Sequence, residues 1–190
     1  MAEHTDIDIG RVVVPIARGA IATTLGLRVP ADETAAWLHA PGASFVTLRT
    51  GAGLRGCIGT LEAHRSLLED LKANAVNAAF RDPRFRPVTV GEFSTVAVEV
   101  SLLSATEPLA FADEREALAR MRPFTDGIVI EYGRHRATFL PQVWEQLPRP
   151  VEFLAQLKRK AGLADDFWAA GIRLSRYTVA KYAETTAPAH

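Results

Sequence analysis

A single cysteine, Cys57, stands among the 190 residues. That count excludes an internal disulfide and any thiolate-rich zinc or iron–sulfur site supplied by this chain alone, and it fits a reducing, cytoplasmic location. Charge of one sign is also lacking, since 22 Lys and Arg balance 22 Asp and Glu. With no overall basic field to draw the chain onto a phosphate backbone, no nucleic-acid partner is expected. Long hydrophobic runs are absent near the start, where Arg11, Pro15 and Arg18 interrupt the apolar residues. The opening MAEHTDIDIG carries acids where a signal peptide carries basic residues, so neither export nor a membrane partner is expected. The five histidines, His4, His39, His64, His135 and His190, show no pair at helical metal-ligand spacing, and no metal is expected. No glycine-rich phosphate loop leads from a strand into a helix, and no cofactor is expected either.

What is present suits an ordinary folded protein. Hydrophobic residues make up 48% and charged residues 23%, enough for one globular domain or two small halves around a sizeable interior. Ile9, Val13, Ile16 and Ala20 recur at helical spacing over 6–26, with Asp6 or Asp8 as a cap and Gly26 as a stop. Pro15 is tolerated if that helix begins near Val12 and kinks it otherwise. FVTLRT (45–50) and LRGCIGTLE (54–62) read as a hairpin across a GAG turn. Ser66 and Glu69 form a capping box for a helix that ends before Pro83. STVAVEVSLLS (94–104) alternates as a strand, with Val96, Val98 and Val100 on one face and Glu99 on the other. A short helix at 113–121, a second hairpin around GRH, helices begun by Pro141 and Pro150, and a strand over 172–182 complete the chain. Hairpin, helices and strand thus occur twice, without regular βαβ alternation, which predicts an α+β class.

The chemistry concentrates around the cysteine. Period-two geometry puts Arg55, Cys57 and Gly59 on one strand face. A guanidinium there favours the thiolate, and a glycine leaves room beside the sulfur for a substrate. The same pattern also describes a small buried residue among glycines that permit close packing. Asp70, Asn74, Asn77 and Arg81 form a polar stripe on one helix, either a solvated face or a row of side chains that bind something. FRDPRFRP (80–87) gathers arginines and phenylalanines that can hold an anion or be tied down by Asp82. Glu99 and Glu131 in apolar strands are candidate acids or bases, or outward-facing surface residues. The KRK run at 158–160 complements a helix C-terminus.

The heptapeptide LRGCIGT at 54–60 resembles the signature of the AMMECR domain family. FVT at 45, RDPRF at 81, VEVSLLS at 98, DGIVIEY at 126, ATFLPQVWEQLP at 137 and LKRKAGL at 157 extend the likeness from about Ile9 to Tyr182. Within the family the chain is most similar to the bacterial AmmeMemoRadiSam branch, encoded alongside a Memo-type protein and a radical SAM enzyme. The resemblance implies one AMMECR domain over 6–182, of α+β fold with two unequal subdomains, followed by a flexible tail at 183–190. It places the site beside the signature strand, marking Arg55, Gly56, Cys57, Gly59 and Thr60, with Arg81, Asp82, Arg84 and Phe85 from the second block. It also implies a modification pathway shared with the two partners. Cys57 is then the candidate nucleophile, Arg55 its stabiliser and Glu99 a base, while Asn74, Asn77, Arg81 and Arg84 orient a substrate or partner. The rival expectation is a non-catalytic adaptor with a structural Cys57. Radical chemistry itself is outside this chain, which lacks the cysteines to hold a cluster.

Overall fold

The computed structural model describes residues 6–184, with side chains from Asp8 onward. Apolar residues at helical spacing and at strand spacing sort it into helices and two antiparallel sheets, an α+β fold. The elements divide into two compact units. One comprises the residues up to Leu103 together with those from Ala180, and the other spans Ser104–Val179.

In the first unit, α1 (Asp6–Thr24) is followed by a hairpin of β1 (Ala43–Thr50) and β2 (Gly53–Gly59), then α2 (Leu67–Phe80) and β3 (Val96–Leu103). Asp8 lies inside α1 and is therefore no cap, and the side chain of Asp6 lies outside the described residues. The helix runs through Pro15. The capping box holds as expected, with the amide of Glu69 donating to Ser66 Oγ and the amide of Ser66 to Glu69 Oε2. The sheet order is β2-β1-β3-β8, where β8 is Val179–Ala183. Its core-facing side carries Val46, Leu48, Val96, Val98 and Val100, packed with Val13, Ile16 and Ile21 of α1 and Leu71, Ala75 and Ala78 of α2. The opposite face carries Phe45, Thr47, Cys57, Glu99 and Ser101, and on it the candidate site is built.

In the second unit β4 is Glu107–Pro108, α3 is Glu114–Arg120, β5 is Gly127–Tyr132, β6 is His135–Phe139, α4 is Pro150–Lys160 and β7 is Arg173–Tyr177. The Pro141 helix is a short 3-10 turn. The sheet order is β4-β7-β5-β6. The hairpin's first strand is central in both sheets, flanked by its partner and by the strand that follows the helix, as β2-β1-β3 and as β6-β5-β7. Trp144 stacks on Phe153 with ring centroids 3.7 Å apart at the middle of this core.

Three expectations change. The strand expected over 172–182 breaks at Thr178 into β7 and β8, which join different sheets. The KRK run does more than face a helix end. Lys158 is buried, with Nζ 2.5 Å from Glu114 Oε1, and Arg159 pairs with Asp165, while Lys160 donates to the carbonyl of Thr138. The tail does not begin at 183. Ala183 ends β8, and Glu184 donates its amide to the carbonyl of Val98 and pairs with Arg18; residues 185–190 of the expected tail lie outside the described residues.

Candidate functional site

Each glycine of LRGCIGT has a neighbour that requires it. A Cβ on Gly56 would fall 2.2 Å from the carbonyl oxygen of Ala78, so the absence of a side chain lets α2 lie directly against β2. A Cβ on Gly59 would fall 2.1 Å from Phe45 Cγ, its cross-strand partner. The ring of Phe45 lies over Gly59, an aromatic covering a strand glycine. The slot expected beside the sulfur is therefore filled by that ring. The second unit repeats the device, with Gly127 under the ring of Tyr177 across β5 and β7.

Cys57 is half-buried. Its Sγ lies 3.3 Å from Thr47 Oγ1, and Thr47 is its cross-strand partner. Glu99 is the partner of Thr47 on the other side, so the three residues form one row across β2, β1 and β3. Two strand spacings separate the backbones of Glu99 and Cys57 by about 10 Å, and Thr47 stands between them. Thr47 was not among the expected site residues. Alternation in FVTLRT puts it on the right face, but the register that sets it beside the cysteine is a tertiary fact.

The backbone of Cys57 is clamped from the loop after α2. β2 is an edge strand, and at Cys57 its free edge meets Asp82 and Arg84. The amide of Cys57 donates to Asp82 Oδ2 at 2.9 Å, and Arg84 Nη2 donates to the carbonyl of Cys57 at 3.3 Å. Asp82 in turn accepts from Arg84 Nε at 2.9 Å, Nη2 at 2.7 Å and the backbone amide at 3.1 Å. The Arg84 guanidinium, opposed by burial and assisted by the Cys57 amide, holds the Asp82 carboxyl far below the usual carboxylate range. Arg84 also lies near enough to the thiol for the two to interact electrostatically. Phe85 packs beside the Arg84 guanidinium, 5.4 Å from ring centroid to Cζ.

Arg55 shares the face of Cys57, but its guanidinium is engaged elsewhere. It donates to both carboxylate oxygens of Glu92, at 3.1 and 3.3 Å. Arg55 first, then the amide and hydroxyl of Thr89, keeps the Glu92 carboxyl below its ordinary range. The arginine at the cysteine's backbone is thus Arg84, and the assignment of Arg55 as thiolate stabiliser gives way to an ion pair with a residue that sequence reasoning missed. The only sign of Glu92 was its spacing from Thr89, three residues as in a capping box. Arg55 Nη1 remains buried with no hydrogen-bond partner among the described residues.

The polar stripe of α2 faces inward for half its length. Asp70 is fully buried and accepts from the amide and hydroxyl of Ser44, from Arg65 and from Asn74. Asn74, 2% exposed, donates to the carbonyl of Ser44 and to Thr60 Oγ1. Asn74 and Thr60 therefore hold α2 to the ends of β1 and β2, their side chains engaged with one another. Asn77 is half-buried and Arg81 exposed, with no ion pair or side-chain hydrogen bond among the described residues. Glu131 lies in a ladder of surface charge with Arg136 and Arg173, its two cross-strand neighbours. No group of three His, Cys, Asp or Glu side chains gathers to hold a metal among the described residues, and no described helix is long and apolar enough to cross a membrane.

Comparison with known proteins agrees with this architecture. The family model described as AMMECR1 matches residues 14–182. Protein MJ0810 of Methanocaldococcus jannaschii is 42% identical over 137 residues, covering 70% of this chain and 68% of that protein. A protein of Thermofilum pendens is 36% identical, covering 93% of this chain and 90% of its own length. The crystal structure of an uncharacterized protein, PH0010, from Pyrococcus horikoshii superposes with a TM-score of 0.74 at 32% identity, covering 93% of this chain and 91% of that one.

Proposed function

The chain belongs to the AMMECR1 family, and we propose that it is a cytoplasmic component of a protein or small-molecule modification pathway, acting with Memo-type and radical SAM partners, in which Cys57 is the reacting group. The observation that carries this reading is the clamp on Cys57. Both backbone polar groups of one edge-strand residue are held by the ion pair of a buried Asp82 and a half-exposed Arg84, while its half-buried sulfur meets the Thr47 hydroxyl. Clamping of this kind fixes the direction of a nucleophile, which is how a protein lowers the entropic part of a barrier. In its thiolate form Cys57 attacks an electrophilic carbon, the S–C bond forming as the leaving group departs with its electron pair. Arg84 contributes the nearby positive charge, and Thr47 is the first group able to take part in moving the thiol proton. Arg81 offers an exposed cation to an anionic substrate group, and Phe85 an apolar surface.

A second reading has its own observation. The ring of Phe45 fills the space over Gly59, which favours a packed, non-catalytic strand on an adaptor protein. Alkylation of Cys57 by iodoacetamide as a function of pH separates the two. The expected result is rapid alkylation of the folded protein near neutral pH, slowed severalfold in Arg84→Ala and unmoved in Arg55→Ala. A thiol that reacts only after unfolding, together with Cys57→Ser retaining pathway activity, would leave the adaptor.

A further inference from the structure

Among the described residues the first sheet ends at β8, which is exposed at Ala180, Lys181 and Ala183. Glu184 directs its amide to the carbonyl of Val98, so alternation turns the backbones of Tyr182 and Ala180 toward β3 and those of Lys181 and Ala183 toward the open edge. Along this edge runs a groove of about 1300 Å³ lined by β8, by the start of β3 and by Arg11, Val14, Pro15 and Arg18 of α1. An open strand edge presents donors and acceptors in a row that another extended segment satisfies. The helix contributes a further acceptor. Pro15 has no N–H to give to the carbonyl of Arg11, and both residues line the groove.

The charges of the groove state what kind of segment fits. Arg18 and Glu184 neutralise one another within it. Arg11 and Lys181, both exposed, have no carboxylate partner among the described residues. Two unmatched cations beside an open edge and an apolar wall complement an extended chain bearing acidic side chains. A second copy of this protein fits poorly, since pairing β8 with β8 brings two Lys181 ammonium groups together, the usual way an edge lysine rejects its own kind.

We propose that this groove binds an extended acidic segment of a partner protein, which adds to β8 as a further strand and sets carboxylates on its two faces, one toward Arg11 on the α1 side of the sheet and one toward Lys181 on the other side. The proposal is independent of any chemistry at Cys57. The test is fluorescence anisotropy of the full chain with fluorescein-labelled peptides TEVVEVT and TKVVKVT, whose charges at positions two and five fall on opposite faces of a strand. The acidic peptide is expected to bind at least about tenfold more tightly, with the preference lost in Arg11→Glu and reversed in the double variant with Lys181→Glu. N-methylation of the acidic peptide on the amides of one edge is expected to abolish binding, as only strand addition requires. Equal affinity for the two peptides, or no saturable binding, overturns the proposal. Binding that appears only after removal of residues 185–190 assigns the groove to the chain's own end and also overturns it. So does a concentration-dependent dimer that Lys181→Glu alters in place of peptide binding.

Discussion

Each structural unit contains a buried loop aspartate paired with a half-exposed arginine, and the two pairs do different work. Asp126 accepts from the amide, Nε and Nη2 of Arg122, four residues earlier, so its carboxylate closes its own turn. Its backbone carbonyl receives Trp144 Nε1 at 2.7 Å, which ties that turn to the core. Asp82 pairs with Arg84 in the same bidentate manner, but it also reaches 25 residues back to the amide of Cys57. Similar ion-pair chemistry therefore serves a local turn in one unit and a long-range staple in the other. The difference lies in what stands opposite the free lone pair. A carboxylate facing an edge strand meets an unpaired backbone N–H, and there a turn becomes a clamp.

The largest expected effect is on Asp126, which is fully buried. Asp126→Ala leaves the Arg122 donors without their acceptor and should cost about 3 kcal/mol in urea unfolding, with no change in the alkylation rate of folded Cys57. Asp82→Ala should cost less, about 2 kcal/mol, because the freed amide of an edge strand can turn to water, but by releasing the clamp it should lower the alkylation rate of Cys57 severalfold. A rate change in the first variant, or none in the second, breaks the comparison. Acid supplies a third test. The folded pKa of Asp82 is depressed, so its contribution is complete above the unfolded value of about 3.9 and is lost as pH falls below it through the folded value. The stability gap between the wild type and Asp82→Asn should be constant from about pH 5 to 8 and shrink below about pH 4. The smallest effect belongs to Thr47→Val, which removes one hydroxyl contact with the sulfur. It should cost about 0.5–1 kcal/mol by urea unfolding, and a larger loss would mean that the side-chain contact outweighs the backbone clamp.

These residues also mark where sequence periodicity stops being informative. The capping box at Ser66 and the buried face of β3 were legible because both are local, decided within a few residues. The break at Thr178 was not, since alternation continues across it and nothing in the pattern says that the chain changes sheets. Asp70 and Asn74 looked like a solvated stripe because polar residues at helical spacing read alike whether they face water or the carbonyl of Ser44. At the site, the spacing of Arg55 and Cys57 suggested a pair that Glu92 dissolves, and the loop arginine that does reach Cys57 comes from 27 residues away. The expected vacancy over Gly59 failed for the same reason. Which ring covers a glycine is set by strand register, and register appears only when the hairpin is assembled.

Gly56 and Gly59 give the seven-residue signature a meaning separate from its cysteine. One sets how near a helix backbone approaches the strand, and the other makes room for an aromatic ring on the opposite face. A chain that kept both glycines and exchanged Cys57 for another small residue would retain the same layer spacing and the same ring over the strand. The motif is accordingly a fingerprint of architecture, and a search with it collects proteins built alike, whether or not each of them uses a thiol.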